Sequence, residues 1–224
     1  MHLLLLLSCA TESIEDGVTL GPFTQVKTSF TSAFVAVTDQ GVLLVDAGYQ
    51  DDGKNVEAHL EPLGLTLRDV DDVLLTHGHS DHTAGLPAYE NATVWAHEDE
   101  VALILEEGPE GIQVDQRFVD GETLDIQGFT IQPIRVPGHT DGNVVYLVDG
   151  VLLMGDTAML YSDGTVGPPP EKYSSDPAQA QSELLLLRDS LQTRQEEISA
   201  IGFSHSAALR GDLSAFWEME ARPE

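Results

Sequence analysis

Thr76-His77-Gly78-His79-Ser80-Asp81-His82 follows a short apolar run over 73–76 and sets four metal-type side chains within six residues. A near-extended chain from 77 to 79 turns alternate side chains the same way, so the imidazoles of His77 and His79 can meet one cation. Asp81 and His82 come past a turn and can face a second. Imidazole suits zinc, iron and similar ions, and a carboxylate adds a hard oxygen donor with negative charge. Without a cation so dense a cluster is expensive to bury, because each unpaired polar side chain loses its hydration.

Working outward, three further motifs stand at the ends of predicted strands: Pro137-Gly138-His139-Thr140, Gly155-Asp156-Thr157 and Phe203-Ser204-His205. Each alone reads as a turn after a strand. In this order, after the first cluster, they resemble the metallo-β-lactamase superfamily, and the resemblance runs from about residue 28 to about residue 210. It implies an α/β fold, a four-layer αββα sandwich. It also implies that His77, His79 and His139 bind a first metal, that Asp81, His82 and His205 bind a second, and that Asp156 bridges them. Asp46, in Leu44-Val45-Asp46-Ala47-Gly48, resembles the family's early strand-end aspartate, which orients a ligand from behind rather than binding metal. One departure is visible: the family usually sets its last histidine between glycines, and here Ser204 and Ser206 flank His205.

The cofactors so implied are two divalent ions, zinc first, with iron or manganese as alternatives. Such a pair lowers the pKa of a shared water from about 16 toward about 7 and makes a bridging hydroxide that attacks a carbonyl. Asp81 would orient that nucleophile and take its proton. The resemblance lies toward the thioesterase and lactonase branches, such as glyoxalase II, because typical β-lactamases of the fold lack the bridging aspartate and many use a cysteine ligand. The residues after His205 leave no room for the helical glutathione-binding region of glyoxalase II. The expectation is a dinuclear hydrolase of a small-molecule carboxylic ester, thioester or lactone. The alternatives are a mononuclear iron persulfide dioxygenase, which needs only His77, His139 and Asp156, and a non-catalytic metal-binding lipoprotein.

Composition narrows the partners. The 224 residues carry 10 Lys and Arg against 38 Asp and Glu, a formal charge of −28. Nucleic-acid affinity comes largely from basic side chains displacing phosphate counterions, so a polyanionic partner is excluded. With 42% hydrophobic and 21% charged residues the chain nevertheless reads as globular. The single cysteine, Cys9, rules out an internal disulfide and ends a leucine-rich run, Leu3 to Leu7 followed by Ser8. This resembles a bacterial lipoprotein signal, with Cys9 as the lipidated residue, although only His2 stands where a basic region is expected. The run is too short to span a bilayer, which takes about 20 residues. Residues 1–12 are read as leader and 13–224 as the hydrolase domain, with a cell-envelope location, a membrane contact only through the lipid, and a cytoplasmic alternative.

Periodicity predicts antiparallel strands over 18–20, 23–28, 33–38 and 42–45, then a helix over 51–63 stopped by Gly64, and a strand over 73–76. Strands over 93–96, 123–126, 129–136, 144–148 and 151–154 follow, with helices over 98–107 and 177–195. Residues 162–177, rich in Gly, Pro and Ser, read as a long surface loop without regular structure. Tyr161 and Tyr173 flank it as candidate substrate contacts. His59 and His97 fall outside every ligand set.

Overall fold

A computed structural model describes residues 10–221. The leader through residue 9, with the lipidation site at Cys9, lies outside the described residues. Residues 10–12, read as leader, pack on the domain: Thr11 bridges Tyr161, Glu12 N–H donates to Leu160 O at 2.9 Å, and Ala207 N–H donates to Glu12 O at 3.2 Å. Among the described residues no helix is long and apolar enough to cross a membrane.

The first sheet takes seven strands in chain order: β1 (Val18–Leu20), β2 (Phe23–Thr28), β3 (Thr31–Val37), β4 (Val42–Val45), β5 (Val70–Leu74), β6 (Thr93–His97) and β7 (Gln116–Phe118). The first four pair antiparallel, as the hairpin signals predict. From β4 onward the pairing is parallel. Parallel neighbours need a crossover, and α1 (Lys54–Leu60), α2 (Ser80–Thr83) and α3 (Val101–Glu107) lie in those connections. The second sheet begins with β8 (Leu124–Ile126), β9 (Phe129–Arg135), β10 (Val144–Val148) and β11 (Val151–Leu153). A two-stranded ribbon, β12 (Met159–Leu160) with β13 (Val166–Gly167), and helix α4 (Pro177–Leu191) intervene before β14 (Ala200–Gly202) and β15 (Leu209–Arg210) complete it; α5 (Ser214–Trp217) follows.

Three apolar layers hold the elements together. Phe23, Phe34, Leu43 and Leu74 of the first sheet meet Ile131, Tyr146 and Leu153 of the second in the central core. Val35, Leu44 and Val73 on the outer face of the first sheet pack with Val56 and Leu60 of α1 and Ile104 of α3. Val145, Leu147 and Leu152 on the far face of the second sheet pack with Leu184, Leu187 and Leu191 of α4. Burial on both faces of both sheets makes the four-layer αββα sandwich that the motifs imply.

Local chemistry explains the differences from expectation. Segment 162–177 is not without regular structure, because β13 pairs with β12 and Glu171–Tyr173 forms a 3-10 turn. The helix expected over 51–63 ends at Leu60 and continues as a 3-10 turn containing Pro62, closed by Gly64 at φ 76°. The helix expected over 177–195 starts where Pro177 and the Asp176 cap place it, then tightens into a 3-10 turn after Leu191. β5 begins at Val70, earlier than the apolar run, because Asp72 is a strand residue whose carboxylate accepts from Trp95 Nε1 at 2.6 Å and Gln127 Nε2 at 2.7 Å.

Candidate metal centre

The cluster forms where strand ends of both sheets converge. The connection after β5 contributes His77 and His79, then Asp81 and His82 on α2. Segments after β9, β11 and β14 contribute His139, Asp156 and His205 from the second sheet. His79 is the extended residue that caps α2, with φ −61° and ψ 148°, so the chain leaves the strand near-extended and turns only at Ser80.

One corner is made of three imidazoles. His77 Nε2, His79 Nδ1 and His139 Nε2 lie 3.0 to 3.1 Å from one another. Three ring nitrogens so placed cannot satisfy one another with hydrogen bonds, because a shared proton serves one pair and leaves another lone pair facing a lone pair. A tetrahedral zinc with Zn–N near 2.05 Å sets its ligands about 3.3 Å apart, close to the observed spacing. Burial, with the neighbouring histidines, pushes His77 well below the usual histidine range and His139 down to about 4, and burial also lowers His79. All three are therefore neutral, the form that binds metal. Thr76 Oγ1 donates to Asp46 Oδ2 at 2.9 Å and so accepts from His77 Nδ1 at 3.0 Å, which leaves His77 Nε2 free to face the corner.

The other corner is charged. His205 Nε2 lies 3.1 Å from Asp81 Oδ2 and 3.2 Å from Asp156 Oδ2, while His82 Nε2 lies 3.3 Å from Asp156 Oδ1 and 3.7 Å from Asp81 Oδ2. Burial opposes charge on His82, but the Asp46 and Asp156 carboxylates outweigh it and raise His82 well above the usual range. Burial likewise opposes charge on His205, and Asp156 and Asp81 push it up to about 10. For both aspartates burial disfavours ionisation, yet these histidines hold Asp156 well below the carboxylate range and lower Asp81. Asp156 also reaches the first corner, with Oδ2 at 3.7 Å from His139 Nε2, and so stands between the two sets. His77, His79 and His139 form one set of donor atoms close enough to hold an ion; Asp81, His82 and His205 form another, and His77, His82 and Asp156 a third across the middle.

Outer partners fix these side chains. Asp46, fully buried at φ 61°, accepts from His82 Nδ1 at 2.8 Å and from the Thr76 backbone N–H at 2.8 Å, so one carboxylate orients a ligand in each corner. Aspartate is among the few residues other than glycine that tolerate this left-handed conformation. His205 Nδ1 donates to Phe30 O at 2.9 Å, the exposed Phe30 ring stacks beside it at 5.8 Å, and Tyr49, also exposed, lies 4.8 Å from Phe30. Tyr161 is buried, with its hydroxyl donating to Pro168 O at 2.5 Å, so it closes the 162–177 segment on itself; Tyr173 is exposed against Lys172 Nζ.

Two supporting residues escape a sequence reading. Glu100 accepts from Gly78 N–H, Gly142 N–H and Thr140 Oγ1, each at 2.8 to 3.0 Å. It sits in a charge-rich stretch that resembles a solvated face, but it precedes Ile104 by four residues and shares its buried side. Gln25 Nε2 donates to the carbonyls of Phe203 and Ser206 at 3.0 and 3.2 Å and so grips the loop carrying His205. Its spacing of two from Phe23 places it on the inward face of β2. Ser206, where a glycine is usual, uses its hydroxyl to accept from Leu160 N–H at 2.9 Å.

Residues 26–194 match the family model described as the metallo-beta-lactamase superfamily. A hydroxyacylglutathione hydrolase of Shewanella oneidensis is 36% identical over 132 residues, 57% of this chain and 46% of that protein. A second, from Methylobacillus flagellatus, is 36% identical over 59% of this chain and 50% of that protein. An atrochrysone carboxyl ACP thioesterase of Claviceps purpurea is 30% identical over 61% of this chain and 40% of that protein. The chain thus spans about half the length of the curated relatives it matches. Among solved structures, a metallo-beta-lactamase family protein from Thermus thermophilus superposes with TM-score 0.63 at 22% identity, covering 88% of this chain and 75% of that one. An archaeal superfamily protein from Sulfolobus tokodaii gives 0.62 at 21%, covering 84% and 81%. These structural likenesses concern the fold alone.

Proposed function

From the premise that the chain belongs to the metallo-beta-lactamase superfamily, we propose that it is a dinuclear metal-dependent hydrolase of a carboxylic ester, thioester or lactone. The observation that carries this reading is the place of Asp156 between two donor sets of different charge, each drawing on both sheets. His77, His79 and His139 would hold one ion, Asp81, His82 and His205 the other, with Asp156 shared. Divalent ions bound there would supply Lewis acidity, bringing the pKa of a water toward about 7 and polarising a substrate carbonyl.

The chain's own residues do the rest. Asp46 keeps His82 Nδ1–H engaged, and the Phe30 carbonyl does the same for His205, so both rings present Nε2 inward. Asp81 Oδ2 is assigned the tasks of orienting the attacking water and accepting its proton. Its side chain is 19% exposed and that of His205 17%, against 0% for His82, so substrate approaches from this side. The names of the relatives, hydroxyacylglutathione hydrolase and ACP thioesterase, support an acyl substrate. A charge of −28 supports a small molecule over a polyanion. The leader-like residues 1–12 alone support a cell-envelope location, and the intact mass of mature protein, with or without lipid on Cys9, checks it.

Metal content by plasma mass spectrometry, on protein purified without added metal or chelator, tests the reading together with an ester, thioester and lactone panel. About two divalent ions per chain, with hydrolysis abolished by chelation and restored by reloading, is the expected result. A single iron with persulfide oxygenation and no hydrolysis would replace it with the dioxygenase chemistry, and no metal after reconstitution would overturn it outright.

A further inference from the structure

We propose that Glu100 is a positioning residue that sets how tightly the three-histidine corner holds its cation, an inference resting on the metal-centre reading above. Glu100 is 1% exposed, and among the described residues no Lys, Arg or His lies within ion-pair distance of it. A carboxylate buried without a cation is costly, and what it does instead is accept three donors. Gly78 N–H reaches Oε1 at 2.8 Å, while Thr140 Oγ1 and Gly142 N–H reach Oε2 at 3.0 and 2.8 Å.

The two oxygens serve two different chain segments. Gly78 stands between His77 and His79, and Thr140 directly follows His139, so one side chain joins the two segments that supply the three imidazoles. Their mutual spacing of 3.0 to 3.1 Å depends on how those segments sit together. The backbone at the start of α3 comes equally close to both: a Cβ on Gly142 would lie 2.5 Å from Glu100 N, and one on Gly78 would lie 2.8 Å from Ile104 N. Neither segment can be pulled in by a longer residue, so the link falls to Glu100. Charge adds to geometry. The three imidazoles bring none, and a cation placed among them draws compensation from Asp156 and, behind the glycine turns, from Glu100.

Zinc affinity, measured by competition with a chromophoric chelator, tests this in an Asp81→Ala background that leaves the three-histidine corner as the intact set. Glu100→Gln keeps the shape but turns an amide N–H₂ toward donors, and it is expected to weaken zinc binding about 10- to 100-fold. Thr140→Val, which removes one donor, is expected to weaken it several-fold and decides the matter should Glu100→Gln fail to fold. Asp72→Asn is the control, since Asp72 is also a buried carboxylate with neutral donors but serves Trp95 and Gln127. It should lower the thermal midpoint and leave zinc affinity unchanged. Unchanged affinity in Glu100→Gln, or an equal loss in Asp72→Asn, overturns the role of Glu100 alone. A parent protein that binds no zinc overturns the metal centre with it.

Discussion

The two corners of the cluster both draw on histidine and solve opposite electrostatic problems. His77, His79 and His139 are neutral and mutually frustrated, His77 and His139 buried and His79 half-buried, with His139 held near pKa 4. Asp81, Asp156, His82 and His205 are an ion-paired set in which His205 is raised to about 10. In metal-stripped protein the first corner offers neutral donors to a cation, and the second carries protons that a cation must displace. Ligand identity alone therefore does not set loading behaviour; the state of each ligand before loading does.

The sharpest way to break that contrast is to remove one ligand from each side. His139→Ala should abolish hydrolysis and lower bound metal from about two ions to about one or fewer, and Asp81→Ala should abolish hydrolysis while the three-histidine corner still binds. Full hydrolysis in Asp81→Ala would sink the two-ion mechanism. Next in size, Asp46→Ala leaves the buried His82 Nδ1 without its acceptor and frees Thr76 from its anchor. It should cost about 3–5 kcal/mol in stability, read from denaturant unfolding, and weaken both corners together.

Proton release sharpens the same comparison. Loading chelator-stripped protein with zinc near pH 8 should expel about three protons per chain, from His82, His205 and the shared water, and His205→Ala should lower this by about one, as measured by titration calorimetry in buffers of different ionisation enthalpy. The stability of stripped protein follows the same signs. The raised His205 contributes fully below its unfolded value of 6.5 and loses that contribution as pH rises through about 10. The depressed His139 acts in the other direction, its contribution holding above 6.5 and lost as pH falls toward about 4. The smallest effect belongs to Gln25→Ala, about 1–3 kcal/mol, with metal loss confined to the corner containing His205.

Much of this architecture is legible because it is written in short, dense signals. The seven residues 76–82, the glycine-flanked His139 and Asp156, and the alternating strands β1 to β4 all announce themselves locally, and the structure brings the seven candidate ligands together. What stays hidden is non-local. The three-residue strand β14 exists only through its parallel pairing with β11, far along the chain, while β12, β13 and β15 are two residues each and too short for periodicity to show. The roles of Glu100 and Gln25 depend on carbonyls and N–H groups that no spacing rule reaches. Tyr161 reads as a pocket residue because it borders a loop, whereas its hydroxyl serves that loop's own carbonyl.

Each corner draws ligands from both sheets, so an ion bound in either ties the two halves of the sandwich together as a clasp. Opening the interface between the sheets then requires the ions to leave, and the lifetime of the folded molecule becomes tied to how fast they dissociate and how much free metal surrounds it. In metal-poor surroundings the protein would be lost by unclasping before it was lost by heat.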